Sequence, residues 1–314
     1  MKAAVLHEVG GVPRYEEFPD PVPAEGEVVI EVLAAAVENV DKAVAAGKHY
    51  ASGKYLGELP MIPVFDGIGR LPDGTLVGFG NVRSPYGALA EKTVVPEGAY
   101  APIPDGIDPA VATVLASAIT ALTMKTAAGL QPGETVLVQG ATGVAGRLAV
   151  QVARLLGAGR IVATGRDDSQ LAELEADAVI NTAVSDEELQ QAYADAGGYD
   201  VVADFLWGRP TQILLRALTP DTFAFATPTR IVQIGEVAGP DLAVPAAALR
   251  TSGIELYGAA RNLTPESMGE SYQQVVEWTR AGDLTFHLDR VPLTDIESAW
   301  QRTSSHGRRL VVIP

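Results

Sequence analysis

Residues 135–147 read TVLVQGATGVAGR, an apolar β-branched run that empties into three spaced glycines, Gly140, Gly143 and Gly146, and then a helical pattern. No other stretch narrows the folds open to this chain as much. Val136 and Val138 suit a buried parallel strand. Gly140 permits a tight turn, Gly143 lets backbone approach a pyrophosphate, and Gly146 lets the following helix pack against the strand. The helix N-terminus then offers free N–H groups to the phosphates. A glycine triplet alone also fits a turn with no ligand; the flanking strand, the helix and the strand-helix repeats beyond favour a dinucleotide site.

The motif sits in mid-chain, so something else is built first. With 314 residues the chain exceeds the usual single core, which predicts two domains. The first hundred residues are short runs such as KAAVLHEV, EVVIEVLAAAV, GTLVGFGN and ALAEKTVVP, broken by Gly and Pro too often for long helices. They predict a compact barrel-like β domain. From Asp108 the texture becomes an Ala-rich helical segment, DPAVATVLASAITALTMKTAAG, stopped at Gly129.

After Gly140 come RIVATG (160–165), AVINT (178–182), YDVVADFL (199–206), RIVQIG (230–235) and GIELYGA (253–259), mostly separated by helical stretches. Strands apolar throughout, alternating with helices, predict a parallel sheet covered on both faces. A helix from Pro265 to about Ala281, FHLDRVPL, a short DIESAWQRT helix and a terminal RRLVVIP strand complete the chain. The expected fold class is α/β.

Twenty-three basic against 39 acidic residues give a net charge of −16, which argues against nucleic acid or an anionic membrane as partner. Any phosphate site must therefore be locally basic. There is no cysteine, so disulfides and thiolate zinc sites are excluded while the redox compartment stays open. The N-terminus lacks a signal-like apolar region and no window is long and apolar enough to span a membrane, so a cytoplasmic protein is expected. The histidines, His7, His49, His287 and His306, show no paired ligand spacing.

Taken together, AAAVENVDKAVAAGKHY, PVFDGIG, YGALAEKTVVPEGAYAPIPDGID and LVQGATGVAG resemble successive segments of the medium-chain dehydrogenase/reductase superfamily, over nearly the whole chain. The zinc-free quinone oxidoreductase branch is the nearest resemblance. It implies a GroES-like β-rich catalytic domain (1–117 and 262–314) and a Rossmann-type doubly wound domain (118–261), with substrate between them. In zinc-dependent relatives a Cys stands where this chain has Glu38, and a His-Glu pair where it has Phe65 and Asp66, so no metal is expected. A hard-metal site of Glu38, Asp41 and Asp66 would have too few ligands.

The resemblance implies a reductase that moves a hydride from C4 of a nicotinamide to a quinone or enone. Without a metal, something must stabilise the developing oxyanion and supply a proton. Tyr50 matches a branch tyrosine near the nicotinamide, and Glu38 replaces a common Asn. A carboxylate buried there would have its pKa raised and could hold a proton; a salt-bridged structural acid is the alternative. Thr120 resembles the threonine that approaches the nicotinamide from the interdomain helix.

Fold geometry adds Thr142 and Val144 at the pyrophosphate turn, Phe205 and Leu206 after the fourth cofactor-domain strand, and Ile234 and Gly235 after the fifth, all at carboxyl ends of strands. At the end of IVATGRDD, Gly165 makes room and Arg166 can grip a 2′-phosphate, which favours NADPH; Asp167 would instead take the ribose hydroxyls if the turn shifted by one. GIELYGA resembles the family's edge strand for two-fold pairing, so a homodimer is expected. Tyr50 and Lys54 form a YxxxK spacing, but ahead of the glycine turn, where that pair has no place on the sheet. A nucleotide-binding sensor or structural protein with little turnover, and a ketone reductase or alcohol dehydrogenase, stay open.

Overall fold

The computed structural model describes residues 1–220, 227–302 and 307–314; His306 lies outside them. The chain divides into two compact units, residues 1–115 with 286–314, and residues 116–285. The second boundary falls later than the expected 262. The reason is local: Arg261 and Asn262 donate to the carbonyls of Ala127 and Thr126, and the Thr285 N–H donates to Gln151, all in the second unit.

The first unit opens with strands β1 (Lys2–Val5), β2 (Arg14–Glu17) and β3 (Glu27–Val37). Helices α1 (Asn39–Ala45) and α2 (Ser52–Tyr55) interrupt what the sequence predicts as all-β. Strands β4 (Gly67–Arg70), β5 (Leu76–Phe79), β6 (Lys92–Pro96) and β7 (Tyr100–Pro102) follow, then helix α3 (Pro109–Ala112), started by the Asp108 carboxylate accepting from the Ala110 and Val111 N–H groups. β3 is long enough to pair with three neighbours, β4, β6 and the terminal strand, and so anchors the sheet. Ile30, Val32, Ile62, Phe79, Leu89 and Val95 fill its core.

The second unit begins with α4 (Leu115–Ala121) and α5 (Thr123–Thr126). The 18-residue stretch Pro109–Thr126, with mean hydropathy 1.2, is long and apolar enough to pass as a membrane span by composition, contrary to expectation. It folds as three short helices, α3 to α5, half buried against protein. The unit continues β8 (Thr135–Gln139), α6 (Val144–Leu155), β9 (Arg160–Gly165), α7 (Asp168–Ala172), β10 (Ala178–Asn181), α8 (Asp186–Asp195), β11 (Val201–Asp204), α9 (Gly208–Leu218), β12 (Thr229–Gln233), α10 (Ala246–Thr251), β13 (Ile254–Gly258) and α11 (Pro265–Ala281).

The six strands are all parallel in the order β10-β9-β8-β11-β12-β13. Chain order reverses between β8 and β11, and in such sheets ligands bind outside the carboxyl ends of the strands at that reversal. Gly140 follows one of these strands and Phe205 the other. The chain then returns to the first unit through β14 (Leu288–Pro292), one 3₁₀ turn, α12 (Ile296–Trp300) and β15 (Arg309–Ile313).

Candidate active site

At the reversal the glycines are demanded by different neighbours. Gly140 has φ +81°, and a Cβ there would meet the Leu206 side chain at 2.8 Å. A Cβ on Gly146 would lie 2.2 Å from the Gly140 carbonyl oxygen. At Gly143 it would meet nothing closer than 3.5 Å. The protein's own packing therefore requires the first and third glycines, whereas the space over the second is open. Gly143 is the N-cap of α6 and offers no side-chain acceptor, so the first-turn N–H groups beginning at Val144 keep their positive dipole end for a ligand. An open, N–H-lined cradle of this kind fits an anionic group.

On one side of the cradle, Thr142 packs where a Gly165 side chain would stand, 2.5 Å from that missing Cβ, and Thr164 Oγ1 accepts from the Gly140 N–H at 3.1 Å. Arg166 follows, exposed, and makes no ion pair or hydrogen bond among the described residues. Asp167 is occupied: as N-cap of α7 its carboxylate accepts from the N–H groups of Ser169 (2.9 Å) and Gln170 (3.2 Å) and from the Ser169 hydroxyl. Those bonds, the Ser169 hydroxyl first, hold it below the usual carboxylate range. On the other side stand Phe205 and Leu206, with the Ile234 and Gly235 N–H groups both directed at the Asp204 carbonyl. Thr120 lies in α4, its hydroxyl donating back to the Ala116 carbonyl.

In the first unit the β15–β3 register aligns Leu310 with Val37, so the next pair outward brings Arg309 to Glu38. They form an ion pair at 2.9 Å, with side chains 11% and 33% exposed. Sequence reasoning did not find Arg309, because nothing local marks a strand residue as the partner of a helix cap so far away in the chain. Asp41, 3% exposed, accepts from the Glu38 N–H at 2.8 Å while its Oδ1 has no partner among the described residues. Burial holds its carboxyl well above the ordinary range, against the Glu38 bond; Asp66 and Glu38 add to the rise and Arg309 opposes it. Asp66 keeps solvent contact, yet burial of its carboxyl by surrounding protein, with Glu38 adding, pushes it up to about 6.

Phe65 stacks on Tyr55 at 4.2 Å, and Lys54 lies over the Tyr55 ring. These residues, with Asp41, Ser84 and Tyr86, line a cavity of about 50 Å³, room for a few waters and too small for a quinone. Tyr50 is 94% exposed, its ring against His49 at 4.2 Å. Glu38 thus has the salt bridge of the structural alternative, and no contact among the described residues joins it to Tyr50.

The raised Asp66 sets a pH dependence with a definite sign. The unfolded carboxyl releases its proton near 3.8 and the folded one near 6, so the folded state loses relative stability as pH rises through that window and stays lower above it. Asp66→Asn is expected to gain about 1 kcal/mol, roughly 2 °C in melting temperature, over wild type between pH 5 and 7, a figure reduced for solvent contact. The gain should not grow above pH 7. A pH-independent difference in thermal melts would contradict this.

A family model described as zinc-binding dehydrogenase matches residues 174–309. Prostaglandin reductase-3 of Bos taurus is 30% identical over 236 residues, 71% of this chain and 59% of the relative, so the chain spans less than two thirds of that protein. A probable NADPH-dependent quinone reductase of Emericella nidulans is 24% identical over 96% of both chains. Among solved structures, the quinone oxidoreductase of Thermus thermophilus, also determined with NADPH, aligns over the full length of both chains with a TM-score of 0.75 and 29% identity. A mycobacterial quinone oxidoreductase shares the fold with a TM-score of 0.80 at 23% identity over both full lengths.

Proposed function

Since the chain belongs to the medium-chain dehydrogenase/reductase superfamily, in its quinone-oxidoreductase-like branch, we propose that it is a zinc-independent, NADPH-dependent reductase of quinones or enones. The observation that carries this reading is the cradle: Gly143 left open beneath the N-terminus of α6, with Arg166 uncommitted beside it and Asp167 committed elsewhere. NADPH, when bound, supplies the hydride. The α6 N–H groups and Thr142 hold the pyrophosphate, Arg166 grips the 2′-phosphate, and Phe205, Leu206, Ile234 and Gly235 line the nicotinamide end, which Thr120 also approaches. Two side chains support zinc independence: Glu38 is engaged by Arg309, and Phe65 offers no donor atom.

Tyr50 and Glu38 are assigned to the carbonyl end of the acceptor. The exposed phenol donates a hydrogen bond to the carbonyl oxygen without carrying charge, and the ion-paired carboxylate orients the groups around it. Tyr50→Phe and Glu38→Gln are each expected to slow turnover about tenfold, the weight of one hydrogen bond, and to alter the pH profile. Unchanged rates and profiles in both variants would remove the assignment. The homodimer is proposed through β13, which ends the sheet order with one edge unpaired among the described residues.

The deciding assay follows NADPH oxidation with 1,4-benzoquinone, 9,10-phenanthrenequinone and simple enones. Turnover with loss of the conjugated double bond, or formation of a hydroquinone, is expected. Tight NADPH binding without turnover would favour a sensor, and a product that keeps its double bond would favour a ketone reductase.

A further inference from the structure

One buried acid of the second unit has no part in the reading above. Asp204 ends β11 and is fully buried. Its Oδ1 accepts from the Leu206 and Trp207 N–H groups, both at 2.9 Å, and its Oδ2 accepts from the Thr211 hydroxyl at 2.6 Å. Behind Thr211 the donors point one way: Gln139 Nε2 donates to the Thr211 hydroxyl at 3.1 Å, and the Tyr193 hydroxyl donates to Gln139 Oε1 at 2.7 Å. The carboxylate is where this chain of donors ends. Burial raises its carboxyl above the ordinary value, while the Thr211, Trp207 and Leu206 bonds oppose the rise.

The same residue's carbonyl accepts from the Ile234 and Gly235 N–H groups, at 2.8 and 3.1 Å. One side chain and one carbonyl therefore collect four backbone N–H groups, three of them from residues assigned to the cofactor. The turn so held is a strained one. Trp207 has φ +57° and ψ −160°, a conformation that costs a residue with a side chain and persists only where its surroundings fix it. The fixed turn seats Leu206 directly over Gly140, and Phe205 against Gly235, whose added Cβ would fall 2.7 Å from the Phe205 oxygen.

We infer that Asp204 is a positioning residue of the nucleotide site, which fixes the 205–207 turn and the 234–235 strand end against the Gly140 cradle. The inference rests on the NADPH reading. Asp204 touches no cofactor itself; it acts through Leu206, Trp207, Ile234 and Gly235. Sequence alone hid it, because an Asp closing an apolar strand looks like the first residue of a loop.

Two measurements on the whole protein test this. In the ligand-free wild type, the Leu206 and Trp207 amides are expected to exchange slowly with solvent deuterium although they belong to a turn; fast exchange would overturn the inference. Asp204→Asn keeps an oxygen for these amides but removes the charge and faces the Thr211 hydroxyl with a donor. It is expected to exchange faster at 206–207 and, with NADPH itself as the fluorescence probe, to bind about tenfold more weakly. Thr211→Val breaks the buried relay while sparing the two bonds to the turn, so its NADPH affinity should fall less than about threefold even where its melting temperature drops as far.

Equal losses of affinity in the two variants at equal stability would make Asp204 merely structural and overturn the inference, as would a folded Asp204→Asn that binds like wild type. Should Asp204→Asn not fold, slow wild-type exchange together with near-normal NADPH binding by Thr211→Val supports the inference, and weak binding by Thr211→Val overturns it. A wild type that binds no NADPH overturns the cofactor reading and this inference with it. A wild type that binds, beside a folded Asp204→Asn that binds equally, overturns this inference alone.

Discussion

Gly146→Ala is expected to destabilise the protein by about 3 kcal/mol and to abolish NADPH binding. Helix propensity pulls the other way, since Ala in a helix interior is favoured over Gly by about 1 kcal/mol. Space decides the sign. The new methyl would lie 2.2 Å from the Gly140 oxygen and 2.7 Å from Ala141 Cα, both backbone atoms. Neither can yield cheaply, because Gly140 is held at φ +81° and the Ala141 N–H is bound to the Thr164 carbonyl at 2.8 Å. Helix α6 must therefore move away from β8, and its N-terminal amides move with it. Gly143→Ala is the internal control: its methyl meets no protein atom closer than 3.5 Å, so the fold should lose less than about 1 kcal/mol while the nucleotide loses its room. Urea melts and NADPH titrations of the two variants separate these effects. A Gly146→Ala protein as stable as wild type would show that helix and strand do not need their close approach.

Much of this architecture is legible in sequence because it depends on neighbours in the chain. RIVATG coincides with β9, EVVIEVLAAAV with β3, and the helix expected from Pro265 to Ala281 with α11, each set by local pattern and, for α11, by a Thr264 cap and a Gly282 stop in the left-handed region. What composition blurs is where such a pattern breaks. The Ala-rich stretch from Pro109 to Thr126 reads as one helix and folds as three, since apolar composition does not reveal a change of direction. Helix α1 was likewise masked by its β-rich surroundings.

The least legible parts are those that join distant residues. Arg309 meets Glu38 only through the β15–β3 register, and Asp204 gathers Thr211, Gln139 and the 234–235 strand end only once the parallel sheet has formed. Glu38 could be singled out from sequence, but whether it stands alone or salt-bridged depended on that register. The Asp66 carboxyl is similar: its residue type is plain in PVFDGIG, whereas its rise to about 6 comes from the protein packed around it.

Arg166→Ala is expected to weaken NADPH binding about a hundredfold and to leave NADH binding unchanged. Two charge-assisted hydrogen bonds to a phosphate account for roughly 2.7 kcal/mol of that preference. The rival for the ribose end is Asp167, and its surroundings weigh against it. Its Oδ1 already accepts from two N–H groups and a hydroxyl at the start of α7, so turning toward a ribose would uncap that helix at a cost of about 1 kcal/mol. Asp168, the other acid beside Arg166, is held by the Asn181 amide at 2.7 Å. Arg166 makes no ion pair or hydrogen bond among the described residues, so in the proposed complex its guanidinium would form new bonds to a 2′-phosphate without breaking old ones. In a chain of net charge −16 this local cation adds to the free N–H groups of α6 as an attraction for phosphate, and wild-type NADPH affinity should fall with added salt more steeply than that of Arg166→Ala. Asp167→Ala should lower the melting temperature through the lost cap while leaving the order of the two nucleotides intact. If it instead weakens NADH binding while NADPH binding holds or tightens, the carboxylate rather than the guanidinium reads the ribose, and the turn carries the other cofactor preference.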